Sequence, residues 1–561
     1  MTHTPAAPSS SRCARLIALG VGFAATVWFL MRVLQKPSRA SYPCMRVSFP
    51  IMSTFVTYLL SLVGAAASVR LLRRDRFVWR PRSLVLASLV ATLFWTTAFV
   101  PRCAKSGDSD STPGPGTNEA PTTVLGRGVG LSPGRVVWIH DRDATNENCT
   151  NLPGDGYFLS ANNDQSVVDR MLTEGMVRLT GASNASDACE RLFIHFNQTH
   201  GRGSAGYTPG ERVFIKTNAT SSWGFGESWG NINQDFTIVA NGYYGTAETS
   251  PAAVLAMLRL LVGECGVPEP DITVGDPMKD IYAHALEQWR PEFPAVTYQS
   301  AHGGRGRTAS TPSVQPLIFY SDRGSVLRTG TSDDPSAGAP VEADHLYSIY
   351  EQASYVVNLA AFKGHARGGV TMCAKNHFGS NTRGGADHLH MGLVNPAGGE
   401  PVRPDRRGYG LYRVLVDLMG HRLLGGKTVL YVVDGLWGGP EAVDPPARFT
   451  SEPFGNDWSS SLLLSQDPVA IESVGFDILK EEMTTDRHPG KAFPQMSGVD
   501  DYLHQAADPA QWPSGIRYDP ENDGTALDSL GVHEHWVSAS DRRYGRNLGH
   551  SEGIELVYVA H

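Results

Sequence analysis

Apolar residues are distributed in two ways along this chain. In the first hundred positions they form uncharged runs: Leu16 to Met31, extended past Arg32 by Val33 and Leu34, then Val47 to Val69, then Ser83 to Val100. Runs of about 18 residues or more match the length needed to cross a bilayer core. They predict three transmembrane helices over 16–34, 47–69 and 83–100 within a membrane segment, residues 1–104. From residue 135 onward, short apolar runs alternate with helical spacing. Strands are expected at Arg135–His140, Arg212–Ile215, Asp271–Val274, Tyr355–Leu359, Thr428–Val433 and Ser461–Leu464. Between them, Ser166–Thr180, Ser250–Glu264, Tyr409–Leu424 and Pro468–Glu482 read as helices. Ser250-Pro251 and Asp467-Pro468 supply an N-cap followed by a first-turn proline. This alternation predicts an α/β fold, with a mostly parallel sheet, helices on both of its faces and the transmembrane segment ahead of it.

Composition then divides the chain. Residues 105–134 shift to Gly, Ser, Thr, Pro and Asp and read as a flexible linker. Residues 135–485 form the α/β domain, and 486–561 a C-terminal extension packing on it. The loop from Arg70 to Arg82 carries six arginines against Asp75. Basic loops prefer the cytoplasm, so this loop puts everything after Val100 outside. The expected partner of the N-terminal helices is therefore the lipid bilayer, and the expected location of the large domain is extracytoplasmic.

A net charge of −8 on 561 residues, with no concentrated basic face, gives no footprint for nucleic acid. The seven cysteines contain no CxxC pair, which disfavours an iron–sulfur cluster or a zinc ribbon. They read as isolated buried thiols. The alternative is disulfide pairing among Cys149, Cys189, Cys265 and Cys373 in an extracytoplasmic domain, with a connectivity that spacing does not set.

The strands end in polar residues: Lys216 and Asn218, Asp276, Asn358 with Lys363 and His365, Asp434, and Ser465 with Asp467. In open parallel sheets, ligands bind beyond the carboxyl ends of the strands. Asp467 before Pro468 reads better as a helix cap than as a catalyst. The segment Lys363 to His390 concentrates His365, His377, His388 and His390 with Lys363, Lys375, Asn376, Arg367, Arg383 and Asp387. Two chemistries suit it. The four histidines are candidate ligands for a divalent metal. Lys216, Asn218, Asp276, Lys363, Lys375 and Asn376 are candidate contacts for a small anionic ligand. His365 and His377 stand among glycines and read as loop residues. Near the C-terminus, His533-Glu534-His535-Trp536 lacks the spacing of a metalloprotease helix and brings ligands only if the tail folds back over the sheet.

Several motifs occur in order: Val213-Phe-Ile-Lys216-Thr-Asn218, Thr249-Ser250-Pro251, Val274-Gly-Asp276-Pro277, Tyr355-Val-Val-Asn358-Leu with Lys363-Gly-His365, Val370-Thr371 with Lys375-Asn376-His377-Phe378-Gly379, and Ser465-Gln-Asp467-Pro468-Val-Ala470. Over roughly residues 135 to 485 this set resembles the family catalogued as domain of unknown function 362. The resemblance implies a fold and an ordered motif set, with no established activity. Some members of that family carry ferredoxin-like cysteine motifs, which this chain lacks. The stretch from Gly531 through Leu556 resembles the tails of exported members. No nucleophile elbow and no phosphate-binding loop motif is present. Two function classes remain: an extracytoplasmic enzyme with a metal- or anion-binding site at the strand ends, or a non-catalytic surface protein that binds an anion or a metal.

Overall fold

The computed structural model describes residues 120–330, 338–394, 406, 408–489 and 496–561. Its centre is a ten-stranded sheet. In chain order the strands are β1 (Arg135–His140), β2 (Val213–Thr217), β3 (Ile272–Gly275), β4 (Thr297–Ser300), β5 (Thr308–Ala309) and β6 (Tyr355–His365). They continue with β7 (Gly369–Thr371), β8 (Thr428–Gly439), β9 (Ser461–Ser465) and β10 (Glu555–Ala560). Across the sheet the order is β10-β1-β9-β8-β6-β2-β3-β4-β5, with β7 paired only to β6.

The fold expectation needs correction on two points. The sheet is mixed, because β9 runs antiparallel to both β8 and β1, and β7 turns back antiparallel on β6. An apolar run such as Ser461–Leu464 carries no mark of its direction, so alternation with helices alone made it look parallel. In addition, no helix among the described residues is long and apolar enough to cross a membrane. The three expected spans and the arginine-rich loop lie outside the described residues.

Strand side chains alternate between two cores, as the pleat requires. Val136, Trp138, Phe214, Val356, Phe362, Val433 and Leu463 point to one core. Val137, Ile139, Val213, Ile215, Val357, Val432 and Leu464 point to the other. Helices α1 (Gln165–Thr180), α2 (Ala185–Thr199), α3 (Pro251–Arg259) and α4 (Ala283–Trp289) supply the second core. The first core is covered by α5 (Cys373–Asn376), α6 (Val414–Gly420), α7 (Pro468–Glu482) and α8 (Asp501–Ala507). Local chemistry sets their ends. Asp164 caps α1 by accepting from Ser166 N and Val167 N, and Gly181 closes it in the left-handed conformation. Helix α6 is shorter than the Tyr409–Leu424 expectation, and α3 continues as a π turn over Leu260–Glu264.

Both ends of the described chain join the sheet domain. Leu125 and Gly126 pair with His533 and Val532, and β10 runs beside β1 at the sheet edge. Asp467 ties these pieces together. Its carboxylate accepts from Val469 N and Ala470 N of α7, and also from Val129 N at 2.9 Å and Val532 N at 3.2 Å. The cap reading of Asp467 thus describes part of its work, and the rest was invisible in a local motif.

Cys189 on α2 is disulfide-bonded to Cys265, just after the π turn, while Cys149 and Cys373 are free and buried. This replaces the reading of isolated thiols for that pair. The bridge spans 76 residues of sequence. Closing so long a loop restricts the unfolded chain, so replacing both cysteines with serine is expected to cost about 2–5 kcal/mol in denaturant melts. Peptide mapping without reductant should recover the Cys189–Cys265 cross-link. Unlinked peptides, with a melt indifferent to reductant, would remove the bridge.

Candidate functional site

The sheet contains one reversal of strand order that creates a crevice. From β2 the chain moves outward through β3, β4 and β5, whereas β6 lies on the other side of β2 and is followed outward by β8. Ligands in open α/β sheets bind outside the carboxyl ends of strands at such a switch point. A cavity of about 620 Å³ opens there, lined by Asn218, Thr220 and Trp223 after β2, Asp276 and Lys279 after β3, and His365 and Arg367 at the end of β6. Thr371, Lys375, Asn376, Phe378, Asp387, His390 and Glu441 complete the wall.

Beneath the cavity is a buried polar network. The Lys216 ammonium is fully buried and lies 3.2 Å from Asp276 Oδ2. It donates to Thr217 O at 2.6 Å and to Asn376 Oδ1 at 3.1 Å. Asn376 in turn donates to Lys216 O and to Asn358 Oδ1. Asn358 Nδ2 donates to Cys373 O at 2.9 Å and to His377 Nε2 at 3.1 Å. That bond puts the His377 proton on Nδ1, which faces Ser380 Oγ at 3.4 Å. Burial, reinforced by the charge of Lys216, pushes His377 down to about 3, so the ring is neutral. The short helix α5 is also fixed from behind, where Glu472 of α7 accepts from Ala374 N at 3.1 Å.

Lys363 closes the side wall. Its ammonium donates to Thr220 Oγ1 at 3.0 Å, to Ala442 O at 2.8 Å and to Ala247 O. Burial lowers it to about 8, against the opposing charges of Glu248 and Glu441. Glu441 binds Ala366 N and Val443 N, so it holds the loops of the rim.

Lys375 faces the cavity differently. Its ammonium contacts His390 Nε2 at 3.3 Å and sits 3.8 Å from the centre of the Phe378 ring. Burial lowers it to about 7, and Lys363 pushes in the same direction. Among the described residues no carboxylate lies within ion-pair distance of Lys375, Lys279 or Arg367. His365 Nδ1 accepts from Arg367 N at 3.0 Å, which leaves the ring proton on Nε2. Two buried oxygens of the wall, Asp276 Oδ1 and Thr371 Oγ1, have no hydrogen-bond partner among the described residues. Gly379 permits the close approach of Asp276, since a Cβ at that position would stand 2.0 Å from Oδ1.

Of the residues singled out from sequence, Asn218, Asp276, His365, Lys375, Asn376 and His390 line this cavity. Lys216, Lys363 and His377 support it from below or beside. His388 lies elsewhere, 2.6 Å from Asp344, which also binds Arg383. The four histidines therefore do not converge as metal ligands. Only His365 and His390 approach each other, with ring centres 5.5 Å apart, and no third ligating side chain joins them among the described residues. His365 and His377 are also not loop residues. The first ends β6 and is 6% exposed, and the second is 1% exposed within a helical turn. Glycine-rich surroundings suggested exposure, but here the glycines allow close packing.

Lys279, Trp223 and Thr371 joined the site without being singled out as ligand contacts. Thr371 stands in one of the quoted motifs, and Lys279 follows Asp276 by three positions, whereas Trp223 carried no signal. Because Asn358 Nδ2 depends on it, His377→Ala leaves a buried donor unpaired. We expect a loss on the order of 2–3 kcal/mol in urea unfolding. A change within about 0.5 kcal/mol would mean the ring is not part of the support.

No curated protein and no solved structure matches the chain. The family resemblance read over residues 135–485 is found over a narrower span, one that contains Lys363 to Glu441 of the cleft but not Lys216, Asn218 or Asp276. Residues 320–477 match the model of the family described as domain of unknown function (DUF362).

Proposed function

We propose that the cleft binds a small anionic ligand that also carries hydrogen-bond donors. The observation that supports this reading most is Lys375, a buried cation on the cavity wall with no carboxylate within ion-pair distance among the described residues, Glu441 and Asp387 acting on it only from farther along the wall. A buried charge without a partner is costly, and an anion entering the cleft would supply one. Lys279 and Arg367 add positive charge, while Asp276 Oδ1 and Thr371 Oγ1 offer acceptors to a hydroxyl or amine of the same ligand. The disulfide Cys189–Cys265 supports placing this domain in an oxidising, extracytoplasmic compartment.

The pH dependence follows from Lys375. Its protonated form binds the anion, so affinity should be flat below about 7 and fall up to tenfold per pH unit above it. Sulfate is a suitable probe because its own charge does not change in this range. Calorimetric titration should show Lys375→Met weakening sulfate binding about 10- to 100-fold, as expected for loss of a charge-assisted hydrogen bond, with Lys375→Arg retaining most of it. Unchanged affinity in Lys375→Met, or no binding of sulfate, phosphate or simple carboxylates by the wild type, counts against the proposal.

A second reading, acid–base turnover of the bound anion, is favoured by the same lysine. An ammonium titrating near 7 beside His365 and His390 can both give and take a proton at neutral pH. Nitrogen-15 NMR titration of lysine-labelled protein, assigned with Lys375→Arg, measures this directly. A value near 10, that of an ordinary solvated lysine, would exclude the acid–base role.

A further inference from the structure

The motif His533-Glu534-His535 has no part in the cleft, yet the fold gives each of its residues a specific partner. Val532 and His533 pair with Leu125 and Gly126, which brings the segment over α8. Glu534 accepts from Gly545 N at 3.0 Å and from Ile554 N, so it is a backbone anchor. His535 stands between two carboxylates, with Nδ1 2.6 Å from Asp477 and Nε2 3.1 Å from Asp500. His533 Nδ1 lies 2.8 Å from Ser473 Oγ, and its ring centre is 4.8 Å from that of His504.

These contacts collect three ligating groups at one point. One ligand atom each from Asp500, His504 and His533 lies within 4.8 Å of the others. All three residues are buried, at 3%, 2% and 0% exposure. Asp500 and His504 are four apart at the start of α8, which sets them on one face of the helix, and His533 arrives from a distant part of the chain. We propose that Asp500, His504 and His533 form a binding site for a divalent transition-metal ion of the zinc class.

The donor set is two imidazoles and a carboxylate, which suits zinc, cobalt or nickel rather than calcium or magnesium. In a tetrahedral site with bonds of about 2.0–2.1 Å the ligand atoms stand about 3.3 Å apart. The ligand atoms of the present cluster stand at most about 1.5 Å farther apart than that. The outer contacts are those that metal ligands usually make. Ser473 orients the His533 ring, while His535 and Tyr409 hold the two oxygens of Asp500. Three protein ligands leave one position for water or a further group. The ion would fasten the segment at Val532–His533 to α8, a role in stability separate from the cleft.

The test uses the full-length chain incubated with Zn²⁺ or Co²⁺, desalted, and measured by elemental analysis and by cobalt absorption. A single equivalent should remain bound, with the visible spectrum of a tetrahedral cobalt site. EDTA should lower the melting temperature of this wild-type protein, a readout that needs no variant. His504→Ala and His533→Ala should each weaken binding about 100-fold or more, and Ser473→Ala about tenfold. His365→Ala with His390→Ala should leave it intact, which separates this site from the cleft. Circular dichroism identifies any variant that fails to fold, and the EDTA result then decides. Metal-free wild type after loading, or metal retained at full stoichiometry by the His504→Ala/His533→Ala protein, overturns the assignment.

Discussion

The buried ammonium of Lys216 is the constraint around which the cleft is arranged. It sits at the end of β2 with no exposure, where an unpaired charge would be intolerable. Asp276 at the end of the neighbouring β3 neutralises it, and Asn376 Oδ1 on α5 accepts a hydrogen bond from it. Those two contacts fix the spacing between the β3 loop and α5 across the switch point. Because Asn376 is held by Lys216 and Asn358 together, Lys375 immediately before it is delivered to the cavity wall. A buried ion pair is weak evidence of stability, since apolar residues of similar volume often serve as well. Here the pair is better understood as positioning, with one oxygen of Asp276 spent on Lys216 and Ala219 N and the other buried without a hydrogen-bond partner among the described residues.

The sheet explains why the polar ends meet. Strands β2, β3, β6 and β8 run in one direction, so their carboxyl ends share one edge. The antiparallel β9 does not disturb this edge, because it separates β8 from β1 and reverses only itself. Edge formation is also completed from the far end of the chain, where β10 pairs with β1 over its whole length. The cleft therefore depends on the parallel core of the sheet, while the mixed part carries the terminal segments.

Much of this was legible in the sequence, and the rest was hidden for definable reasons. The strands at Arg135–His140 and Ser461–Leu464 and the helices at Ser166–Thr180 and Pro468–Glu482 stand within a residue of the observed elements, because apolar period and caps are local signals. The direction of β9 was not legible, since pairing geometry is decided by neighbours far away in the chain. Among the candidate residues, lysine and asparagine at strand ends were informative because turn chemistry does not explain them. Histidine density was less informative. His377 and His388 lie on Asn358 and Asp344, partners 19 and 44 residues away in sequence, so proximity in the chain overstated their convergence. The reverse holds for His533 and His504, whose approach requires the pairing of Val532 with Gly126 and appears in no local motif.

The two sites are joined by a short run of hydrogen bonds. Tyr502 on α8, between Asp500 and His504, donates to Glu472 Oε2 at 2.5 Å. Glu472 Oε1 accepts from Ala374 N, the residue before Lys375. Burial raises Glu472 to about 7, against the pull of the donors Tyr502, Ala374 N and the Cys373 backbone, which favour its charged form. An ion held by Asp500, His504 and His533 would restrict α8, and α8 through Tyr502 fixes the carboxylate that secures α5. The run is a spatial connection between α8 and α5 through α7. It gives a physical reason for placing α5 on a rigid support: a helix of four residues cannot hold Lys375 in a cavity by its own hydrogen bonds, which are too few to pay for its ordering. The precision of the cleft is therefore borrowed from α7 and α8, and from the C-terminal segment that packs against them.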